Sequence, residues 1–253
     1  MIGNNKLMEM AVLAKSFAQC KISNYSVGAA ALSKSGKVYL GFNLEFPGTC
    51  IQSTLHAEQF AFANAFIHQD HDIIRIAVTA TPCGHCRQFM AERSICDITV
   101  LLNDESEIKE LKLLEDLLPL AWQGSEQLST INDSCEGIMQ DSFAPYSGSK
   151  SACVLHAGSR SYSGVYIESP AFNPSISPLH SALVSFASSK LNLVISKADQ
   201  LPESRDWDLH ADFKDSIDRV VLTQVSDCQI NQFGMCQDIV NSLSPNIEIE
   251  NKQ

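Results

Sequence analysis

The chain has 253 residues, with 18 Lys and Arg against 29 Asp and Glu, so its formal net charge is −11; 45% of its residues are hydrophobic. This length and apolar content allow one large domain or two of ordinary size. The acidic charge and the lack of a Lys/Arg run argue against a nucleic-acid partner, because phosphates are bound by basic side chains, and no apolar run is long enough for a membrane span.

Hydrophobic spacing predicts alternating helices and strands in the first half of the chain. Apolar residues at three- and four-residue steps predict three helices, over residues 7–20, 54–67 and 82–93. Ser53 or Thr54 is the predicted N-cap of the second helix, and Pro82 suits the first turn of the third. Runs rich in β-branched residues predict four strands, over residues 27–33, 37–42, 73–79 and 98–102. The first two strands are joined by a predicted turn at Ser35-Gly36, and the whole pattern is typical of a layered α/β domain with some parallel pairing.

The second half of the chain repeats landmarks of the first half in the same order. Four segment pairs match: residues 24–26 with 145–147, 39–45 with 162–168, 55–58 with 179–182, and 75–79 with 219–223. The second copy carries an insertion around residues 196–215. We therefore expect two domains, residues 1–120 and 140–253, joined by a polar linker over residues 121–139.

This alignment predicts that the second copy has lost its chemistry. It pairs His56 with His180 but Glu58 with Ala182, and it pairs the two cysteines of the first copy with Cys228 and Asn231. A zinc site needs about four ligands, counting water. The second copy is therefore expected to be structural.

The first copy carries two short motifs that favour a catalytic zinc site. His56-Ala57-Glu58 supplies His-x-Glu, and about two dozen residues later Pro82-Cys83-Gly84-His85-Cys86 supplies Pro-Cys-x-x-Cys. His56, Cys83 and Cys86 are the predicted ligands of one Zn²⁺, with the fourth position left for water. Two cysteines three residues apart at a helix start share one face, where the helix dipole favours thiolates. Glu58 is the predicted general acid/base and not a ligand.

Two other interpretations of the Cys-x-x-Cys motif stay open at this point. It could be a redox pair of thiols, or part of a structural zinc site with His85 as the fourth ligand. Seven further cysteines are predicted to be buried small hydrophobes: Cys20, Cys50, Cys96, Cys135, Cys153, Cys228 and Cys236. The odd total of nine cysteines in the chain favours reduced thiols in the cytoplasm, and the polar start of the chain favours the absence of a secretory signal.

These motifs make the chain resemble the zinc-dependent cytidine deaminases of the two-repeat, homodimeric type. The matching segments are residues 24–30, 41–46, 56–59 and 81–90, and residues 169–174 resemble a loop of the degenerate half. The resemblance implies a duplicated three-layer α-β-α domain with a mixed sheet, one copy catalytic and one degenerate. It also implies hydrolysis of cytidine and 2′-deoxycytidine to uridine, 2′-deoxyuridine and ammonia in pyrimidine salvage, by a zinc-bound hydroxide with Glu58 as proton shuttle.

The resemblance further implies which residues contact the substrate. Asn43 and Glu45 would hydrogen-bond the ribose hydroxyls, and Tyr25 would stack on the pyrimidine. The backbone of Ala57 would hold the edge of the base, and the carbonyl of Thr81 would face the leaving amine.

Other implied roles lie around the site. Arg87 would lie against a thiolate and moderate its charge. In the implied homodimer, Ala171, Phe172 and Asn173 of the degenerate half would line the active site of the partner subunit. Two alternatives remain open: a deaminase of a nucleotide, a nucleoside analogue or a base in RNA, and a catalytically silent zinc protein that acts as a dimerisation partner.

Overall fold

The computed structural model describes residues 2–93, 98–104, 107–122, 137–197, 199–204, 206–225 and 230–252. Its helices are α1 (Asn4–Lys15), α2 (Ala57–Ile67), α3 (Gly84–Arg93), α4 (Pro178–Leu191), α5 (Leu209–Ser216) and α6 (Phe233–Leu243). Its strands are β1 (Gly28–Ser33), β2 (Val38–Phe42), β3 (Ile73–Val78), β4 (Thr99–Asp104), β5 (Glu107–Lys112), β6 (Ser151–Ala157), β7 (Arg160–Val165), β8 (Val194–Ile195), β9 (Arg219–Gln224) and β10 (Ile249–Lys252). No helix within these ranges is both long and apolar enough to cross a membrane.

The chain divides into two compact units. Unit one comprises Met1–Glu45, Thr54–Gln123 and Ser188–Trp207, and unit two comprises Phe46–Ser53, Gly124–Ala187 and Asp208–Gln253. The domain boundaries drawn from sequence, 1–120 and 140–253, stay a prediction. Most of the predicted linker, residues 123–136, lies outside the described residues.

The sheet of unit one is mixed, as the resemblance implies. Its six strands run in the order β5-β4-β3-β1-β2-β8. Strands β3 and β4 pair in parallel, whereas the other neighbours pair antiparallel. Strands β1 and β2 are buried along their whole length, which is expected of strands covered on both faces.

Two glycines show that helices cover both faces of this sheet. A Cβ built on Gly28 lies 2.1 Å from the carbonyl oxygen of Ala11 in α1, and one built on Gly41 lies 2.4 Å from the carbonyl oxygen of Ala57 in α2. Gly28 pairs directly with Phe42, so Gly41, the neighbour of Phe42, points to the opposite face. Helices α1 and α2 therefore lie on opposite faces, which confirms the predicted α-β-α layering.

Four helix boundaries differ from the predictions. The first helix begins at Asn4 and not at residue 7, and the third begins at Gly84, so Pro82 precedes the first turn of that helix and does not lie in it. The first helix ends at Lys15 and not at residue 20, because Gln19 pairs with Leu44 beside the sheet and the chain must leave the helix to reach it. The second helix has His56 as its N-cap and not Ser53 or Thr54, because Leu55 is held extended by two hydrogen bonds with Leu44. His56 is thereby placed at the first turn of α2.

Unit two repeats the central strands of unit one. Its sheet runs β10-β9-β6-β7, with β9 and β10 parallel and the other pairs antiparallel. Strands β4-β3-β1-β2 of unit one have the same order, with the first pair parallel and the other pairs antiparallel. The insertion predicted around residues 196–215 lies between β8 and β9, and it contains most of α5. The predicted duplication is confirmed.

Pairing within the sheets fixes how the two copies align. Ala29 pairs with Gly41 and with Val78, as Cys153 pairs with Gly164 and with Leu222. The sequence matches of residues 39–45 with 162–168 and of 75–79 with 219–223 are therefore confirmed.

The match of residues 55–58 with 179–182 is wrong by three residues. The bridge of Leu44 to Leu55 corresponds to that of Ile167 to Ile176. A Cβ built on Gly41 would meet Ala57 and Ala61, and one built on Gly164 would meet Pro178 and Ala182. Ser177 therefore stands where unit one has His56, Leu179 stands in place of Glu58, and His180 in place of Gln59.

The match of residues 24–26 with 145–147 is also wrong by three. The N–H of Asn24 bonds the carbonyl of Cys20, as the N–H of Gly148 bonds that of Ala144. Asn24 and Gly148 also share a positive φ, +54° and +65°. Tyr25 therefore corresponds to Ser149.

The prediction for the seven cysteines outside the motif is only partly correct. Cys153 and Cys236 are buried, but Cys50 is exposed and Cys20 is half-buried. Cys20 lies in the loop after α1 and Cys50 beside the short 3₁₀ turn Ile51–Ser53, neither of which is a core element. Cys96, Cys135 and Cys228 lie outside the described residues.

Candidate metal centre and substrate pocket

Two helix starts bring the three predicted ligands together in unit one. His56 is the N-cap of α2, and Cys83 and Cys86 lie at the start of α3. The Nδ1 atom of His56 is 3.6 Å from the sulfur of Cys83 and 3.4 Å from the sulfur of Cys86. Among the residues that the structure describes, these three form the one cluster of potential ligands, all within 4.8 Å of one another.

The distances fit a tetrahedral zinc ion. With Zn–S and Zn–N bonds of about 2.3 and 2.05 Å, a tetrahedral angle separates sulfur from nitrogen by about 3.6 Å. The observed separations match this value. The donor set, one imidazole and two thiols, is one that zinc prefers, and three protein ligands with an open fourth position are typical of catalytic zinc.

Electrostatics within the cluster favour a metal ion. A hydrogen bond from Cys86, together with His56, lowers the pKa of Cys83 to about 3. The Cys86 thiol that donates this bond has a pKa well above the ordinary value. Because a thiol must lose its proton to bind a metal, the lowered pKa of Cys83 favours its binding to a dication. The hydrogen bond with Cys83 also raises the pKa of His56.

Glu58 lies in the first turn of α2 with its carboxyl group directed at this cluster. It is only 4% exposed, and its side chain hydrogen-bonds that of Cys86. Burial raises its pKa. A buried carboxyl with a raised pKa beside a metal site is suited to accept and return protons.

His85 and Arg87 flank the ligands. The ring of His85 stacks on the ring of His56, with centroids 5.3 Å apart and planes 14° apart. Arg87 was expected against a thiolate. Instead its Nε donates to the carbonyl of Pro82 at 2.8 Å and its Nη1 to the carbonyl of Leu117 at 3.1 Å, which secures the start of α3 on the chain that follows β5.

A cavity of about 430 Å³ opens over the cluster, a size in the range of small-molecule sites. Eight predicted site residues line it: Tyr25, Asn43, Glu45, His56, Ala57, Glu58, Thr81 and Cys83. Cys86 is fully buried beneath. Ala57 lies in the first turn of α2, where backbone N–H groups have no partner within the helix.

Four further lining residues were not predicted: Ser23, Val27, Thr54 and Ala80. Each lies within two residues of a predicted site residue, which was the only signal available in the sequence. The side chains of Asn43 and Glu45 already bond the loop that carries Tyr25. Asn43 accepts from Val27 N–H and donates to the carbonyl of Tyr25, and Glu45 accepts from the backbone of Ser23.

The corresponding place in unit two carries different chemistry. Ser177 stands in place of His56 and Leu179 in place of Glu58. The sulfur of Cys236 hydrogen-bonds the Ser177 side chain and the Leu179 backbone, and burial raises its pKa to about 12. His180 is fully occupied, since its Nδ1 accepts from the Ser177 hydroxyl at 2.9 Å and its Nε2 donates to the carbonyl of Ser53 at 2.7 Å.

The predicted partner-facing residues lie in a tight turn of unit two. Phe172 is 58% exposed and has a positive φ of +58°. The turn is closed by the N–H of Phe172 on the carbonyl of Ser169 and the N–H of Asn173 on the carbonyl of Ala171. The aromatic ring thus stands on the surface of its unit.

Comparison with known proteins agrees with this site. Two models of the cytidine and deoxycytidylate deaminase zinc-binding region match the chain, one over residues 1–102 and one over residues 99–237. A cytidine deaminase of Proteus mirabilis is 35% identical over 71% of this chain and 69% of its own length. One of Actinobacillus succinogenes is 34% identical over 68% of this chain and 63% of its own length.

One further relative and one solved structure are also similar to this chain. Cytidine deaminase 6 of Arabidopsis thaliana is 28% identical over 98% of this chain and 91% of its own length. The crystal structure of cytidine deaminase from Burkholderia pseudomallei aligns with 48% of this chain and all of its own, at 30% identity and a TM-score of 0.45. On the family matches and the ligand geometry together, the chain belongs to the zinc-dependent cytidine and deoxycytidylate deaminases.

Proposed function

We propose that the protein hydrolyses free cytidine and 2′-deoxycytidine, releases ammonia, and forms uridine and 2′-deoxyuridine, in pyrimidine salvage. The observation that carries this proposal is the placement of Glu58, His56 and Cys83 on the wall of one pocket, with Cys86 completing the ligand cluster beneath it. A redox role for the two thiols is disfavoured, because the site also brings an imidazole and the buried Glu58 carboxyl to the sulfurs, and a pair of redox thiols needs neither of these groups.

In this proposal His56, Cys83 and Cys86 hold the zinc. When bound there, zinc acts as a Lewis acid and brings the pKa of water to about 7. Glu58 is assigned to carry protons, first to the ring nitrogen N3 of the pyrimidine and later to the leaving amino group. Its burial supports this role, because removal from water raises the pKa of the Glu58 carboxyl and so favours its protonated form.

The pocket wall supports the assignment of a nucleoside. Tyr25 offers an aromatic ring that is 63% exposed, as stacking on a base requires. The Ala57 backbone and the Thr81 carbonyl are assigned to the edge of the base and the leaving amine, and Asn43 and Glu45 to the sugar side. The described residues that line the pocket include no Lys or Arg that would pair with a 5′-phosphate.

We further propose that the protein is a homodimer, in which Ala171, Phe172 and Asn173 of one subunit line the active site of the partner subunit. The exposed ring of Phe172, held by a closed turn, supports this contact. We place the enzyme in the cytoplasm, where reducing conditions keep Cys83 and Cys86 free of disulfides and available as metal ligands. Phe172→Asp is expected to weaken dimerisation in analytical ultracentrifugation and to lower turnover in parallel; a dimeric, fully active variant contradicts this part.

The substrate class is tested with cytidine, 2′-deoxycytidine, CMP and a short cytidine-containing RNA, by following loss of cytosine absorbance. Turnover of the two nucleosides with little turnover of CMP or RNA supports the proposal. Turnover of CMP or RNA alone contradicts it and favours the alternative substrates. Zinc binding without any turnover favours the silent dimerisation partner.

A further inference from the structure

The backbone of Gln19 is bonded on both sides of the residue that separates Asn43 from Glu45. The N–H of Gln19 donates to the carbonyl of Asn43 at 2.9 Å, and its carbonyl accepts the N–H of Glu45 at 2.8 Å. The intervening Leu44 is fully buried. Because side chains alternate along an extended chain, Asn43 and Glu45 face the other way, where both line the pocket. A displacement of Gln19 therefore displaces both polar residues.

The side chain of Gln19 is bonded to Trp207, which lies in the insertion of the second copy and belongs to unit one. Both residues are buried. The Nε2 atom of Gln19 donates to the carbonyl of Trp207 at 2.6 Å and to that of Phe17 at 3.3 Å. The indole ring of Trp207 meets the ring of Phe42 edge-on, with centroids 5.5 Å apart and planes 70° apart. Trp207 therefore contacts both Gln19 and the residue that directly precedes Asn43.

Unit two has the same backbone bonds without the amide side chain. Phe143 stands in place of Gln19, since its N–H donates to the carbonyl of Tyr166 at 2.9 Å and its carbonyl accepts the N–H of Glu168 at 2.7 Å. The bridge formed at this position is parallel in both units. The backbone bonds therefore form without a polar side chain. Because a buried amide costs free energy unless it is hydrogen-bonded, the contribution that distinguishes Gln19 is its bond with Trp207.

We propose that Gln19 and Trp207 are positioning residues, which set the chain at the end of β2 so that Asn43 and Glu45 meet the sugar of the substrate. Neither is among the described residues that line the pocket, so both act through the backbone of the polar pair. The insertion of the second copy thereby supports the substrate pocket of the first. The proposal rests on the proposed function, because it takes Asn43 and Glu45 to bind the ribose hydroxyls.

The first experiment compares Trp207→Leu with wild type on 2′-deoxycytidine and on 2′,3′-dideoxycytidine, which lacks the 3′-hydroxyl. The readout is the ratio of kcat/KM for the first substrate to that for the second, because this ratio does not depend on the fraction of enzyme that is folded. Displacement of the polar pair loses a hydrogen bond between the sugar and a charged group, so we expect the ratio to fall roughly tenfold. A wild-type ratio in an active Trp207→Leu protein overturns the proposal.

The second experiment uses Gln19→Met, which carries the same test if Trp207→Leu does not fold. Methionine is similar in size to glutamine but has no amide, so it removes the bond with the Trp207 carbonyl and keeps the backbone bonds. We expect the same fall of the ratio in a milder form. In the double variant the two losses should be less than additive, because both act through one contact. Fully additive losses overturn the proposal.

Ile195→Ala is the matched control for stability. Ile195 lies in β8, is buried, and pairs with Val38, at the opposite end of β2 from Phe42 and thus about 13 Å from it. This variant should lower the melting temperature while keeping the wild-type ratio of the two substrates. A ratio that falls as far in Ile195→Ala as in Trp207→Leu overturns the positioning role, because general loosening of β2 then explains the effect.

Failure of the proposed function gives a different result from failure of the positioning role. Wild-type protein that deaminates neither substrate contradicts the proposed function, and wild-type protein without preference for the 3′-hydroxyl contradicts the sugar assignment of Asn43 and Glu45. The positioning proposal falls in both cases. A wild-type preference that persists in Trp207→Leu and in Gln19→Met overturns the positioning role alone.

Discussion

Gly41→Ala tests whether the contact of β2 with α2 positions the metal site. A Cβ at residue 41 lies 2.4 Å from both the carbonyl oxygen of Ala57 and the nitrogen of Ala61, whereas ordinary contact begins at 3.4 Å. The start of α2 must therefore move by about 1 Å. Overpacking of this kind costs roughly 1–3 kcal/mol of stability, and a displacement of about 1 Å at a reacting centre costs about 100-fold in rate.

The effect on the site follows from which helix moves. His56 and Glu58 belong to the start of α2, whereas Cys83 and Cys86 belong to α3. Displacing one helix start therefore separates the imidazole and the carboxyl from the sulfurs. We expect Gly41→Ala to lose about 100-fold in kcat/KM for cytidine, to bind less zinc per chain by elemental analysis, and to melt at a lower temperature.

Gly164→Ala provides the matched control. Its Cβ lies 1.9 Å from the nitrogen of Ala182, so it wedges α4 from its sheet in the same way, but the helix start there carries Ser177 and Leu179. It should lower the melting temperature at least as much while retaining zinc. Wild-type zinc content and kcat/KM in Gly41→Ala would refute the assignment of α2 as the element that positions the ligands.

Two further predictions concern pH and metal. Burial lowers the pKa of folded His180 to about 4, whereas the unfolded value is about 6.5. As the pH falls from about 6.5 towards about 4, the unfolded state therefore binds a proton at this residue and the folded state largely does not. Stability is therefore complete above the unfolded pKa and is lost as the pH falls below it. Between about pH 7.5 and about 4.5 the free energy of unfolding should fall by roughly 2–3 kcal/mol more for wild type than for His180→Gln; parallel pH profiles of chemical denaturation would contradict this. Cys83→Ser should lose tight zinc binding and any melting response to a chelator, whereas Cys50→Ser, at an exposed thiol, should keep both; a serine variant at residue 83 with a full zinc complement would rule out Cys83 as a ligand.

The metal cluster was predictable because its information is local. His-x-Glu and Cys-x-x-Cys each lie at one helix start, so the spacing alone determines which side chains share a face. The alternation of strands and helices likewise predicted the layered fold, and the two glycines that face α1 and α2 lie inside strands that the hydrophobic pattern identified.

The alignment of the two copies was less predictable, and the reason is physical. The sequence match aligned His56 with His180 because each of these histidines follows a leucine. In the structure, a backbone bridge sets where each helix starts: Leu44 pairs with Leu55 in the first copy, and Ile167 pairs with Ile176 in the second. Backbone hydrogen bonds form between residues of almost any type, so this pairing cannot be predicted from the sequence. Arg87 differs from expectation for a similar reason, since the carbonyls of Pro82 and Leu117 that it bonds are not visible in the sequence.

The central claim is that a zinc site and the Glu58 carboxyl serve one reaction in one pocket. The most direct test measures zinc per chain and cytidine turnover in the same preparations of wild type and Glu58→Gln. We predict one zinc per chain in both proteins, with turnover in the variant reduced by about 100-fold or more, as expected for loss of a general acid/base. A zinc-loaded Glu58→Gln protein that deaminates cytidine at the wild-type rate would contradict the account.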